Sequence, residues 1–277
     1  MSNILTDSSA DLSPELVARY NIGLIRLSVF INGRTYVDGQ DISTPELFKL
    51  VENCKHLPKT SAPSIAGFMK FNNQPGETIY IGISSNLSAT VSNAILACQN
   101  LENHSIQIFD LLNLSTGIGL LVLKAAELRD TGYSSAAIGQ EIRAAIPKIH
   151  TSFVIDTLDY LYMGGRCSAM QHIVGSLLKI RPVIEIRSDG TLTIREKIRG
   201  TRKRALDSLI EDFRAHLADV DPHRVFITHT CCEKDAEYLA KENSAMIQIE
   251  DLCITVAGST VASHCGPNTI GILYMTR

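Results

Sequence analysis

The sequence has no apolar run of the roughly 20 residues that a membrane-spanning helix requires. Its longest apolar stretch, residues 117–126, is interrupted by Lys124 and predicts a buried helix instead. The first residues do not resemble a signal peptide, because polar residues 6–8 follow the first apolar pair at once. The formal net charge of −3 gives no indication of nucleic-acid binding. We therefore expect a cytoplasmic protein that neither binds nucleic acid nor inserts stably into a membrane.

Metal-binding and disulfide patterns are absent as well. The seven cysteines are an odd number, none has the spacing of a zinc site, and the histidines are scattered. Free thiols in a reducing compartment explain this usage. Cys265 follows His264, but neighbours on an extended chain point to opposite faces, so a reactive thiol is not predicted. We expect no metal and no cofactor.

The signatures of nucleotide-binding proteins and of hydrolases are also missing. No glycine-rich loop ends in Lys-Ser or Lys-Thr, and no Gly-x-Gly-x-x-Gly follows the first predicted strand. No Gly-x-Ser-x-Gly elbow indicates a nucleophilic serine. Neither class is therefore favoured by a motif.

The pattern that is present predicts an α/β protein. In residues 1–150 strands alternate with helices, which favours a parallel sheet covered by helices. Predicted strands are 4–7, 24–31, 78–83 and 106–110, and predicted helices are 13–20, 44–53, 64–72, 87–100, 116–129 and 135–148.

Residues 151–277 change in character and predict a second, mixed α/β domain, with the ligand between the two domains. The Asp-Gly of residues 189–190 indicates a hairpin. Predicted strands are 152–158, 183–187, 191–197, 225–230, 247–252 and 270–275, and predicted helices are 201–217 and 233–242.

Three hydroxyl-rich clusters stand where the chain passes from one element to the next. They are residues 59–64 (Lys-Thr-Ser-Ala-Pro-Ser), 84–90 (Ser-Ser-Asn-Leu-Ser-Ala-Thr) and 263–267 (Ser-His-Cys-Gly-Pro). Hydroxyls at a helix start cap free N–H groups, and those groups attract anions such as a carboxylate or a phosphate. Simple capping of helices and turns is the alternative. Because ligands bind beyond the carboxyl ends of parallel strands, we expect residues 6–9, 84–85 and Asp110 to line one crevice.

The same clusters resemble the DegV-like fatty-acid-binding proteins of bacteria, which have Thr-Ser-x-Pro-Ser, Ser-Ser-x-Leu-Ser-Gly-Thr and His-x-Gly-Pro-Gly motifs. The likeness extends over about residues 4–274, and it departs from the family at Ala89 and Asn268, where glycine is common. Further matching segments are residues 6–12, 26–29, 36–42, 156–161 and 164–166.

The resemblance implies a non-catalytic carrier of a long-chain fatty acid such as palmitate or oleate. By this analogy Thr60 and Ser88 bond the carboxylate, and Ser61 and His264 complete the hydrogen-bonded network. The choice of serine within the middle cluster stays open, and Ser84 and Ser85 are the alternatives to Ser88. The acyl chain would lie in an apolar tunnel, for which wall candidates are Ile118, Leu120, Leu121, Ile173, Val174, Leu177 and Leu178.

The resemblance also implies a partner, a fatty acid kinase that converts the bound acid to an acyl phosphate. A basic surface would help to dock the kinase and its nucleotide. We expect Arg166 and Arg202 to serve this docking and to contribute little to fatty-acid affinity.

Two other functions remain open on the sequence alone. One is an enzyme that acts on a small anionic metabolite in the same crevice, with His264 as acid or base. The other is a regulatory module whose ligand shifts its partners. An apolar tunnel rather than a wet cleft would distinguish the carrier from the enzyme.

Overall fold

The fold was obtained as a computed structural model that describes residues 2–71, 76–99, 106–166 and 180–277. In the described first half the strands are β1 (Asn3–Asp7), β2 (Ile22–Ile25), β3 (Ser28–Ile31), β4 (Arg34–Val37), β5 (Lys59–Ser61), β6 (Thr78–Gly82) and β7 (Ile106–Asp110). The helices of that half are α1 (Pro14–Arg19), α2 (Thr44–Cys54), α3 (Ile65–Phe71), α4 (Thr90–Gln99), α5 (Thr116–Asp130) and α6 (Ser135–Ala145).

Four of these strands form a parallel sheet in the order β2-β1-β6-β7, as the alternation predicted. The predicted strand 24–31 is in fact two strands. The chain leaves the sheet after Ile25, and the N–H of Leu27 donates to the Oγ of Ser8. β3 then pairs with β4 and β5 in a small antiparallel sheet that the sequence did not predict.

The second half has strands β8 (Ile149–Val154), β9 (Ile180–Ile186), β10 (Leu192–Arg199), β11 (Val220–His229), β12 (Asp251–Val256) and β13 (Ile270–Thr276). Its described helices are α7 (Asp159–Met163), α8 (Arg202–Ala215), α9 (Glu233–Met246) and α10 (Ser259–Cys265). The strands form one mixed sheet in the order β10-β9-β8-β13-β11-β12. The predicted fold class, a parallel-sheet part followed by a mixed-sheet part, is confirmed.

Two predictions for this half were wrong in detail. The strand predicted at 247–252 begins at Asp251, because α9 continues to Met246 and β12 must reach along β11 as far as His229. The cluster at 263–267, for which no helix was predicted, begins in the last turn of α10. The mixed sheet starts at Ile149, so the proposed division after residue 150 falls inside β8; the division stays a prediction.

Helix α5 lies between the two large sheets. It contacts β1 and β6 on one side and β8, β11 and β13 on the other. Its side chains are apolar on nearly all faces, and eleven of its fifteen residues are buried. Helices that are apolar all round occur in protein cores rather than at surfaces. One core cluster therefore includes residues of both halves, such as Ile4, Leu121, Phe153 and Phe226.

None of the helices in the described ranges has the length and apolar character needed to span a bilayer.

The burial of α5 leads to a stability prediction. Ile118 is fully buried in α5, whereas Ile95 on α4 is 44% exposed. Ile118→Ala should lower the free energy of unfolding by about 2–5 kcal/mol, because it removes apolar contacts and leaves a cavity. The control Ile95→Ala should change it by about 0.5 kcal/mol or less. Denaturant unfolding monitored by circular dichroism measures both, and equal losses would contradict the central role of α5.

Candidate functional site

His264 and Thr60 form the centre of the candidate site. Nε2 of His264 lies 2.8 Å from Oγ1 of Thr60, although the residues are 204 positions apart. Thr60 stands on β5, where it pairs with Val29 of β3. His264 stands in the last turn of α10. The structure thus brings together two of the predicted site residues from different halves of the chain.

Buried hydrogen bonds fix the start of α10. The N–H of Gly258 donates to Oδ1 of Asp11 over 2.8 Å, and the hydroxyl of Ser259 donates to Oδ1 of Asp38 over 2.6 Å. The helix ends at Gly266, whose φ of 78° suits glycine and stops the helix directly after the histidine-bearing turn. These contacts set the position of the His264 side chain.

Burial of the imidazole, together with the nearby positive charge of Arg166, lowers the pKa of His264 to about 4. His264 is therefore neutral at pH 7. Its Nδ1 is buried and has no hydrogen-bond partner among the described residues. Gly164 packs directly against this nitrogen, where any larger side chain would collide with the ring.

A cavity adjoins this pair and contains about 480 Å³ of space free of protein atoms, including the part open to solvent. Its wall is mostly apolar and is contributed by both halves of the chain. The lining residues are Leu27, Thr60, Ile83, Leu87, Ser88, Leu114, Leu161, Arg166, Leu192, Thr260, Val261, His264 and Cys265.

Ser88 is the serine of the middle cluster that reaches the cavity. It precedes α4, and its Oγ lies 2.7 Å from Oγ1 of Thr90 and accepts from the Thr90 N–H over 3.3 Å. A helix N-terminus carries partial positive charge, so an anion beside Ser88 would be stabilised.

Arg166 also lines the cavity, which its predicted role in docking did not anticipate. Its Nε donates to the carbonyl of Leu87 over 3.0 Å, and its Nη1 donates to the carbonyl of Gly164. Burial lowers the pKa of the guanidinium, and no acidic side chain in the described ranges pairs with it. A half-buried cation without an acidic partner favours an anionic ligand. In the sequence, Arg166 was singled out because it is a single arginine that follows Gly164 and Gly165.

Three predicted site residues do not line the cavity. Ser84 is buried, and its hydroxyl donates to the carbonyl of Gly190 over 3.0 Å, which ties the middle cluster to the β9-β10 hairpin. Ser85 is exposed and donates its N–H to Asp110. Ser61 is exposed on β5, because strand alternation turns it away from the side that Thr60 faces.

None of the residues expected to line a crevice at the carboxyl ends of the parallel strands, which are 6–9, 84–85 and Asp110, lines the cavity. Asp7 is fully buried and accepts hydrogen bonds from Ser9, from the hydroxyl of Tyr80 over 2.8 Å and from the N–H of Ile83. The hydroxyl oxygen of Ser8 accepts a hydrogen bond from the N–H of Leu27. These residues bond to the protein itself, as the capping alternative predicted.

The remaining predicted residues lie elsewhere. Ile118, Leu120 and Leu121 belong to the core of α5 and do not line the cavity. The other wall candidates, residues 173–178, lie outside the described residues. Arg202 begins α8 and forms ion pairs with Asp156 and Asp235 at 3.2 and 2.9 Å. It lies outside the cavity wall.

One histidine cluster was not foreseen from sequence spacing. His150 of β8 lies 2.9 Å from the carboxylate of Asp212, and His216 follows Asp212 by one turn of α8. The three could hold a metal ion, but the guanidinium of Arg195 contacts the same carboxylate. The contacts that are present describe an ion-pair cluster on the outer side of the mixed sheet.

The fold thus defines a two-part α/β protein with a cavity between its halves. A model of the DegV family, described as an uncharacterised protein family, matches residues 1–277. A DegV domain-containing protein of Caldanaerobacter subterraneus is 31% identical over 275 residues, which are 98% of this chain and 97% of the relative. The chain belongs to the DegV family.

Solved structures agree with this assignment. A DegV family protein from Thermus thermophilus, described by its fatty acid binding, has a TM-score of 0.93 at 28% identity and is covered to 99% by the whole of this chain. The fatty acid binding protein DegV from Bacillus subtilis has a TM-score of 0.89 at 27% identity over 100% and 99% of the two chains. The Streptococcus pneumoniae Fatty Acid Kinase (Fak) B3 protein, loaded with linoleic acid, shares the fold with a TM-score of 0.89 at 21% identity, over the full length of both chains.

The buried histidine gives a pH prediction. The pKa of His264 falls from 6.5 in the unfolded chain to about 4 in the folded protein. Between these values the unfolded chain binds the proton, so the free energy of unfolding should decrease as the pH falls, by up to about 3 kcal/mol. His264→Gln should lose this part of the pH dependence. Denaturant unfolding at several values between pH 7 and pH 4 tests it, and identical pH profiles for the two proteins would contradict the assignment.

Proposed function

We propose that this protein binds a long-chain fatty acid, such as palmitate or oleate, with its carboxylate at Thr60, Ser88 and His264. The observation that carries the proposal is the pairing of an apolar cavity wall with this polar end, beside Arg166, which has no acidic partner in the described ranges. The fatty acid binding of the DegV relatives from Thermus thermophilus and Bacillus subtilis supports it.

Charge balance favours a carboxylate over a phosphate. With His264 neutral, Arg166 is the charged side chain in the described cavity wall. One carboxylate charge neutralises it, whereas a phosphate dianion would leave a surplus negative charge in a poorly hydrated site. Arg166 thus has a role at the head group in addition to any role in docking.

The apolar chain supplies most of the affinity. Each buried methylene contributes about 0.8 kcal/mol, so roughly 14 methylenes give about 11 kcal/mol before the costs of association, which are about 4–15 kcal/mol. The contacts of the carboxylate then fix the orientation of the fatty acid and the depth of its acyl chain in the cavity.

The second part of the proposal is presentation. The protein, itself not an enzyme, offers its bound acid in the cytoplasm to a fatty acid kinase that forms the acyl phosphate for lipid metabolism. The Streptococcus pneumoniae protein of the same fold is named as a Fatty Acid Kinase (Fak) B3 protein and is loaded with linoleic acid. Arg202 and the basic residues around the start of α8 would contact the kinase.

The alternative of an enzyme for a small anionic metabolite is less well supported. A catalytic base at neutral pH works best with a pKa near 7, whereas that of His264 is about 4. Its Nε2 is also already bonded to Thr60. The apolar wall gives a small polar substrate few partners.

Native mass spectrometry of the purified protein, followed by extraction of its ligand, tests the proposal first. We expect a bound long-chain fatty acid, or uptake of added palmitate or oleate after delipidation. A protein that carries no lipid and takes up neither acid would overturn the carrier function.

The head-group assignment predicts selective losses of affinity. Thr60→Val and Ser88→Ala should each weaken palmitate binding about tenfold or more, because a hydrogen bond to a charged group contributes about 1.5–3 kcal/mol. Ser61→Ala and Ser85→Ala are matched controls at exposed positions outside the cavity and should bind as the unmodified protein does. Titration calorimetry measures the four affinities. Losses at the control positions equal to those at Thr60 and Ser88 would argue against this geometry.

The proposed docking role of Arg202 predicts a loss of kinase activity without a loss of palmitate affinity. Arg202→Ala should lower acyl-phosphate formation by the kinase several-fold while the palmitate affinity stays unchanged. Arg214→Ala, at an exposed position near the far end of α8, serves as the control for loss of a positive charge on the same helix and should leave both properties unchanged. Kinase turnover and palmitate affinity are measured on the same preparations, and equal losses of both in Arg202→Ala would refute the division of roles.

A further inference from the structure

Thr260 is a polar residue of the cavity wall that neither the motifs nor the resemblance singled out. It stands in the first turn of α10, four residues before His264, and its side chain is buried. Within the described parts of the chain, its Oγ1 has no hydrogen-bond partner.

Other buried threonine hydroxyls nearby are all bonded. Oγ1 of Thr44 donates to the carbonyl of Ala257 over 2.5 Å, and Oγ1 of Thr230 donates to the carbonyl of Gly266 over 2.7 Å. Thr269 is bonded to the carbonyl of Cys265 over 2.9 Å. An unpaired buried hydroxyl loses its hydration without compensation, so such groups call for a specific explanation.

The helix places Thr260 beside the head-group site. Residues four apart lie on the same face of a helix, and helical side chains lean toward the N-terminus. Thr260 and His264 therefore lie on the same face of α10. Both residues line the same cavity, with Ser88 and Thr60.

A carboxylate can use a further donor at this place. Its two oxygens offer about four acceptor positions. The hydroxyl of Thr60 and the imidazole of His264 are already bonded to each other, so they cannot saturate these positions alone.

We propose that Thr260 donates a hydrogen bond to the carboxylate of the bound fatty acid and so determines selectivity for the acid over neutral lipids of the same chain length. This inference rests on the proposed fatty-acid binding. It adds a polar contact from the first turn of α10 to those of Thr60, Ser88, His264 and Arg166.

The test compares palmitate with 1-hexadecanol on the delipidated full-length protein. Thr260→Val replaces the hydroxyl by a methyl group of similar size and should weaken palmitate binding about tenfold, while 1-hexadecanol binding changes less than twofold. Thr260→Ser keeps the hydroxyl and should retain most of the palmitate affinity. Thr78→Val, a buried threonine outside the cavity, is the matched control and should bind both lipids as the unmodified protein does.

The outcomes separate this inference from the proposed function. Failure of the unmodified protein to bind palmitate would overturn the fatty-acid proposal and Thr260 with it. Normal binding by the unmodified protein, together with unchanged or tighter palmitate binding in Thr260→Val, would overturn the Thr260 contact alone. Equal weakening for palmitate and 1-hexadecanol, or a loss in Thr260→Ser as large as in Thr260→Val, would show a packing effect and would also overturn it.

Discussion

The burial of α5 between the two large sheets is the constraint on which the rest of the structure depends. An apolar helix contacted on two sides satisfies the hydrophobic faces of both sheets at once, so the halves cannot slide without exposing core. Its first residues add polar ties: Ser115 donates to Asp11 over 2.5 Å, and the hydroxyls of Thr116 and Thr228 lie 2.6 Å apart. The cavity lies where this fixed arrangement leaves residues of the two halves facing each other.

The helix that carries His264 at the polar end of the cavity is held in place by hydrogen bonds to residues outside the cavity wall. Asp11 and Asp38 bind the start of α10, and Thr44 bonds the carbonyl just before it. Desolvation raises the pKa of Asp11 well above its ordinary value, and the nearby carboxylate of Asp38 raises it further. The polar end of the cavity therefore relies on buried acids that do not line the cavity themselves and that hold the histidine-bearing helix in place.

Much of the fold could be predicted from sequence, because strands β1, β6 and β7 are apolar runs bounded by turn residues and the major helices have capping signals. The small sheet of β3, β4 and β5 could not, since its strands are short and half exposed and depend on pairing with each other. At the site, the family motifs led to Thr60, Ser88 and His264, which share the cavity. Local pattern could not show that Arg166 and Thr260 face the same space, because their position depends on how distant segments pack.

The division of the cavity between the two halves has a consequence for the lifetime of the protein. Thr60 and His264 lie 204 residues apart, so no short fragment contains the polar end of the site. A ligand held there binds the intact fold and not the unfolded chain, and mass action then adds its binding free energy to the stability of both halves together. A bound ligand would in this way lower the frequency at which the chain opens to proteases.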